Sequence, residues 1–230
     1  MTSLRPSRNP HHRAGLTRRH VLAVFAASGL VRCGSNPDID LSTLKQLVTR
    51  PRQPASVGRD EAAQVPFASI GVRSDNGPQL LLVLATDTAG DLLWTSAARV
   101  SLVTRAGRIV KTAGFHDNLA ATRFLSDDPL AELGGIAMQS SRMIDLPEAG
   151  SYSVPVNSTY SVANIETIEI LGTSLRTVPL IETNNCPALK WKFQNRFWRD
   201  PDTGFVWRST QTVSPKGPTL TVEVLRPPAT

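Results

Sequence analysis

Two cysteines among 230 residues cannot build a disulfide framework, and neither sits in a Cys/His spacing suited to a metal. Gly-x-Ser-x-Gly, a phosphate-cradling glycine loop and His-Glu-x-x-His are all absent from the sequence. Acidic residues are missing from positions 1–32, which carry six arginines (Arg5, Arg8, Arg13, Arg18, Arg19, Arg32) and three of the four histidines. The remaining chain holds 19 bases and 19 acids, so the formal charge of +6 belongs wholly to the leader. A nucleic-acid partner thereby loses its electrostatic basis. With 40% apolar residues the chain is too hydrophobic for a disordered polymer, and about 200 residues beyond the leader suffice for one sizeable domain.

The leader has the three parts of an export signal: a basic stretch, an apolar run and a turn-forming exit. The apolar run at 21–31 spans 11 residues, whereas crossing a bilayer takes about 20, so it is an h-region rather than a permanent anchor. Thr17-Arg18-Arg19-His20-Val21-Leu22 resembles a twin-arginine signal, with Arg18 and Arg19 as the paired arginines. Cys33, closing the run after Leu30 and Val31, resembles the acylated cysteine of a bacterial lipobox. Arg32 departs from that pattern, which has a small residue before the cysteine. Ordinary signal peptidase cleavage after Ala26 or Ser28 is the other reading of the same stretch. Acylation at Cys33 implies a membrane partner through an N-terminal lipid.

Residues 33–60 read as a tether with a short helix, in which Leu41, Leu44, Leu47 and Val48 form one apolar stripe before Pro51. Residues 61–230 read as a single mainly β domain, an antiparallel barrel or sandwich with few other helical turns. Short apolar runs are separated by Gly/Pro/Asn/Asp turns throughout. Strands are expected at 65–72, 79–86, 92–95, 99–104, 108–112, 142–146, 151–156, 160–165, 166–171 and 175–181. Arg105-Ala106-Gly107 is a tight hairpin with glycine at its demanding position. Residues 117–135 are an irregular or helical excursion anchored by Leu119, Phe124, Leu125, Leu130 and Leu133.

Six of the thirteen aromatics fall between 191 and 207. Trp191 with Phe193, and Phe205 with Trp207, are two apart and share a strand face. The turn residues Asp200-Pro201-Asp202-Thr203-Gly204 between them predict a hairpin with aromatics meeting across the strands. Either these rings form the core of the last sheet, or tryptophans stand exposed as stacking platforms for sugars. On the second reading Trp191, Trp198 and Trp207 are candidate glycan-binding residues, with Arg108 a candidate contact for an anionic polymer. Asp200-x-Asp202-x-Gly204 lacks the later ligands of a calcium loop. His116 with adjacent Asp117 makes no triad, because strand neighbours point to opposite faces. Cys186, before Pro187, is expected in a loop as a buried, unreactive thiol. No catalytic, metal or cofactor site is expected.

Val103-Thr104-Arg105-Ala106-Gly107-Arg108-Ile109-Val110-Lys111-Thr112-Ala113-Gly114 resembles the YjbF/GfcB family of bacterial envelope lipoproteins. The resemblance takes in Pro66-Phe67-Ala68-Ser69, Trp94-Thr95-Ser96, Asp128-Pro129-Leu130, Phe197-Trp198-Arg199-Asp200 and the segment from Gly204 to Gln211. It implies a mostly β lipoprotein, without a catalytic site, assisting capsule or exopolysaccharide secretion. It implies polysaccharide and export-machinery proteins as partners, and a periplasm-facing position at the outer membrane. A soluble periplasmic carbohydrate-binding protein is the alternative, and a carbohydrate-active hydrolase a more distant one.

Overall fold

The computed structural model describes residues 55–131 and 138–229. The chain divides into a unit of Met1–Pro51 and one of Arg52–Thr230, and everything described belongs to the second. The leader, Cys33 and the short helix expected near residue 44 therefore lie outside the described residues.

Among the described residues, one short helix, α1 (Arg59–Gln64), precedes thirteen strands. They are β1 (Ser69–Ser74), β2 (Gln79–Thr88), β3 (Asp91–Thr95), β4 (Ser101–Arg105), β5 (Arg108–Ala113), β6 (Ala121–Phe124), β7 (Gln139–Leu146), β8 (Ser151–Val162), β9 (Glu166–Ile170), β10 (Thr173–Cys186), β11 (Trp191–Arg199), β12 (Val206–Thr212) and β13 (Thr219–Arg226). Twelve of them form one antiparallel sheet in the order β5-β4-β3-β2-β1-β13-β12-β11-β10-β8-β7-β6. The two edges nearly meet: the Thr112 backbone N–H at the end of β5 donates to the Leu119 carbonyl, just ahead of β6, at 2.8 Å. The molecule is thus a nearly closed barrel, which resolves the choice between barrel and sandwich and leaves no long open edge.

Alternation decides which side chains enter the barrel. On β8, Val154, Val156, Ser158 and Tyr160 are buried while Asn157, Thr159 and Ser161 are exposed. On β10, Leu180, Glu182, Asn184 and Cys186 are buried and Thr183 and Asn185 exposed. The outward rows over β8, β10 and β11 are mainly polar, with Asn157, Thr159, Ser161, Thr183, Asn185, Lys192 and Gln194, opposite in character to the apolar belt of a transmembrane barrel. Two apolar clusters fill the interior. The larger gathers Ile70, Val72, Leu82, Trp94, Leu102, Leu220 and their neighbours. The smaller gathers Leu130, Tyr160, Leu180, Phe197 and Val206.

Several expectations change. The segments expected as separate strands at 151–156 and 160–165 are one continuous β8, and 175–181 is the middle of the 14-residue β10. No turn-forming Gly, Asn-Gly or Asp-Gly interrupts β8, and Pro155 sits at an exposed position within it. Cys186 ends β10, fully buried, rather than lying in a loop. Burial pushes its thiol pKa up, as expected for an unreactive cysteine. Residues 59–64, which straddle the expected boundary between tether and β domain at 60/61, form α1. The excursion at 117–135 contains β6 and buries Leu119 and Leu130; residues 132–137 lie outside the described residues.

The hairpin at 105–108 is as expected. Ala106 and Gly107 both have positive φ (47° and 82°), the requirement of a tight two-residue turn. Gly107 is also pressed against β12, since a Cβ there would lie 2.5 Å from Val206 Cβ. Gly90, with φ 83°, has open space around it. Gly90→Ala is expected to cost about 1–2 kcal/mol through backbone strain alone. Gly107→Ala is expected to cost clearly more, because the clash adds to the strain. Chemical denaturation of the two variants checks this, and equal costs count against the close approach.

Candidate functional site

The most unusual feature of the barrel is a layer of buried charge between its two apolar clusters. Along β10 the inward sequence runs Leu180, Glu182, Asn184, Cys186; along β8 it runs Tyr160, Ser158, Val156; along β11, Phe197, Asn195, Phe193. Each strand thus passes from one apolar cluster to the other through polar side chains at the same level.

Glu182 is the centre. Its Oε1 accepts from Arg108 Nη1 at 2.7 Å, Tyr160 Oη at 2.8 Å and Arg142 Nη1 at 3.1 Å. Its Oε2 accepts from Asn195 Nδ2 at 2.7 Å and Asn184 Nδ2 at 3.1 Å. Arg108 also makes a bidentate pair with Asp128, Nε and Nη2 donating at 2.7 and 2.9 Å, and its guanidinium lies 5.3 Å from the Phe197 ring centroid. Arg142 completes its bonding with Ser158 Oγ at 2.7 Å and Asn184 Oδ1 at 3.0 Å. Two guanidiniums and two carboxylates sum to zero charge, which is what makes such burial tolerable.

The electrostatics follow from that balance. Burial alone raises the Glu182 pKa, but Arg108 and Arg142 outweigh it and hold the carboxyl well below its ordinary range. Burial likewise works against the charge on Arg108, and Glu182 and Asp128 more than offset this, so its pKa is raised. Arg142 has a lowered pKa, burial outweighing the help of Glu182. Tyr160 is pushed up to about 12, chiefly by burial. The remaining space at this level is a cavity of about 20 Å³, the size of one water molecule, lined by Arg108, Arg142, Phe193, Asn195 and Gln211 among others.

Of the candidate glycan contacts, Arg108 is 2% exposed and fully engaged inside this layer. Trp191 stacks on Phe193, with ring centroids 3.7 Å apart, against the larger apolar cluster. Trp198 lies on the outer face. It donates to Glu166 and is flanked by the guanidiniums of Arg196 and Arg208, 4.7 and 5.9 Å from its ring centroid. Trp207 meets the Phe205 ring edge-on at 4.7 Å and lines a surface hollow. Aromatics were expected to meet across the hairpin, but each pair closes on itself. The register sets Trp191 opposite Cys186 on β10, and only the last residues of β11 pair with β12.

Trp198 is covered because β9 and the first part of β10 form an arm outside the barrel. Thr173–Thr177 pair with β9, whereas β10 joins β11 only from Val178 onward. Three contacts pin the arm over β11 and β12: Glu166 accepts from Trp198 Nε1 and from Arg196 Nη2, the latter at 2.9 Å, and the Glu169 carbonyl accepts from Arg208 Nη2 at 2.6 Å. Arg208 also bonds Glu223 through Nε at 2.7 Å. Beside the arm lie two adjoining hollows of about 330 and 410 Å³, which share Arg59, Ile170, Leu171 and Leu225 in their walls.

The remaining polar candidates are occupied locally. His116 is exposed, while Asp117 is buried and accepts from the Lys216 backbone N–H at 3.1 Å. Asp200 Oδ1 accepts from the Thr203 N–H and hydroxyl at 2.8 and 2.9 Å, closing its own turn. Sequence reasoning missed Glu182, Asp128, Arg142, Tyr160, Asn184 and Asn195. The available signal was an acid and an amide, Glu182 and Asn184, on the same strand face as Leu180 and Cys186.

Fold and interior together define a nearly closed antiparallel barrel with a solid, ion-bridged core. The chain belongs to the YjbF family, described as group 4 capsule polysaccharide lipoprotein (gfcB, YjbF), whose model matches residues 12–225. It is 30% identical over 164 residues to the lipoprotein GfcB of Escherichia coli (strain K12), covering 69% of this chain and 76% of that one. It is 28% identical over 146 residues to the lipoprotein YjbF of the same organism, covering 62% and 68%. The crystal structure of the hypothetical lipoprotein YmcC from E. coli (K12) has the same fold, with a TM-score of 0.68 at 23% identity, covering 86% of this chain and all of that one. The chain is accordingly a capsule-related lipoprotein of the cell envelope.

Because the folded Glu182 pKa is depressed, its stabilisation is complete above the ordinary carboxylate pKa of about 4.3 and is lost as pH falls below it. Glu182→Gln is expected to lower stability at neutral pH by about 3–5 kcal/mol, leaving two guanidiniums under-paired, and to flatten the acid limb. Tyr160→Phe is the milder variant. Its folded pKa is raised, so the wild type loses stability as pH climbs from about 10 toward about 12, and the variant loses less over that range. Thermal unfolding across pH checks both.

Proposed function

We propose that this protein is an exported, acylated and non-catalytic envelope lipoprotein that assists secretion or assembly of a capsule or exopolysaccharide. The observation that carries the reading is the family match, which runs from the leader through the last strand of the barrel. The residues agree with it. Cys33 stands where the apolar run of the leader ends, and the chain beyond the leader has no net formal charge. Acylation contributes about 0.8 kcal/mol per buried methylene, so two or three chains on Cys33 hold the protein at a membrane. The paired Arg18 and Arg19 direct it through the twin-arginine exporter, and it faces the periplasm from the outer membrane. A solid interior gives a glycan or a protein of the export machine only the outer surface to engage, and no nucleic acid is a partner.

Metabolic labelling with a palmitate analogue is expected to mark the wild type and not Cys33→Ser, which leaves the membrane fraction. Deleting the gene is expected to reduce surface polysaccharide, and Cys33→Ser is expected to restore it only poorly. An unlabelled, soluble wild-type protein rejects the anchor, and unchanged polysaccharide in the deletion strain rejects the role.

A further inference from the structure

We infer that the paired hollows beside the β9–β10 arm form one groove for a glycan strand, with a sugar ring stacked on Trp207. The inference rests on the polysaccharide reading above and assigns it a place on the barrel.

The composition of the groove distinguishes its occupant. The first hollow presents Trp207 with Leu175, Ile170 and Val224, and carries Arg59 and Arg226. The second shares Arg59 and Ile170 but is otherwise polar, with Ser56, Gln79, Glu169 and Glu223. An apolar and aromatic surface running into an array of hydroxyl, amide and carboxylate groups matches a sugar chain. Such a chain has C–H faces that stack on an indole and hydroxyl edges that need donors and acceptors. An acyl chain needs apolar lining along its whole length, which the second hollow denies it. A nucleic acid needs a run of cations along its phosphates, whereas the two hollows offer only Arg59 and Arg226, beside Glu169 and Glu223. Arg59, common to both hollows, is exposed and stands where a carboxylate substituent of an acidic sugar gains a charge-assisted bond.

The groove is also a held shape. Gln79 Nε2 donates to Glu223 Oε2 at 2.7 Å, the Val57 N–H donates to Gln79 Oε1 at 3.1 Å, and Arg208 bonds both Glu223 and the arm. The wall of the second hollow is thereby tied to β2, β12, β13 and β9. Of the three candidate tryptophans, Trp207 is the one that lines the groove, whereas Trp191 is stacked against the apolar cluster and Trp198 is flanked by two guanidiniums.

The test uses the full chain and size-fractionated oligosaccharides released from the producing cell's own surface polysaccharide. The expected result is a saturable change in tryptophan emission and a calorimetric binding signal. Affinity falls at least about ten-fold in Trp207→Ala. It falls several-fold in Arg59→Ala, more for uronate-bearing than for neutral fractions, and is unchanged in Thr159→Ala on the far polar face. Arg59 is an exposed side chain, so its variant reports even if Trp207→Ala fails to fold. Three binding results overturn the proposal: no binding of any fraction, binding that survives both substitutions, or an emission change produced by phosphatidylglycerol vesicles and not by oligosaccharide. Loss of surface polysaccharide on gene deletion, together with full complementation by Trp207→Ala and Arg59→Ala, rejects the groove while leaving the broader role intact.

Discussion

A carboxylate with no contact to water sits in the middle of this barrel, and the surrounding strands are arranged to keep it charged. Glu182 takes five donors from β5, β7, β8, β10 and β11, including both buried guanidiniums. An isolated charge in such a place costs many kcal/mol. Here the positive groups come from strands on opposite sides of the sheet order, β5 at one edge and β7 next to the other. Closure of the sheet and neutralisation of its core are therefore one event: Arg108 reaches Glu182 only when the two edges approach. A half-formed barrel would leave uncompensated charge, which favours a single register over slipped ones.

The same layer accounts for segments that look unrelated in the sequence. Arg108 follows the β4–β5 hairpin, Asp128 lies in the excursion after β6, and Gln211 lies on β12, each within a stretch that carries the family resemblance. In the folded chain Arg108 bonds Asp128, and Gln211 spans β5 by accepting from the Ile109 N–H and donating to the Gly107 carbonyl, both at 2.9 Å. Gly107 is thus held from two sides, by Gln211 and by the approach of Val206. What reads as scattered motifs is one interior contact set.

With its centre filled by ion pairs, the barrel leaves its outer surface as the accessible one. The arm formed by β9 and the start of β10 adds relief to the outer surface over β11 and β12. It covers Trp198 with help from Arg196 and Arg208, and it walls the hollow that Trp207 lines. In the described residues, a lipoprotein related to capsule polysaccharide is thus built around a filled interior, with an aromatic-lined recess on its surface.

Local patterning was enough to determine the strand-rich class, the glycine-bearing hairpin at 105–108, the half-exposed β9 with Ile168 and Ile170 buried, and the charge-neutral body behind a basic leader. Those properties depend on periodicity, on backbone sterics at one or two residues, and on counting. The continuity of β8 was not legible, because a strand is interrupted only where its neighbours stop pairing, and β7 and β10 pair with β8 over most of its length. The aromatic cluster was equally undecided: spacing placed Trp191 beside Phe193 and Phe205 beside Trp207, all four half-buried, while packing of the first pair against the larger apolar cluster and placement of Trp207 beside a surface hollow depended on register. The central ion layer was least readable of all. Arg108, Asp128, Arg142 and Glu182 are as much as 74 positions apart, and long-range pairing of buried charges is specified by the closed sheet, which alone brings opposite strands within hydrogen-bond distance.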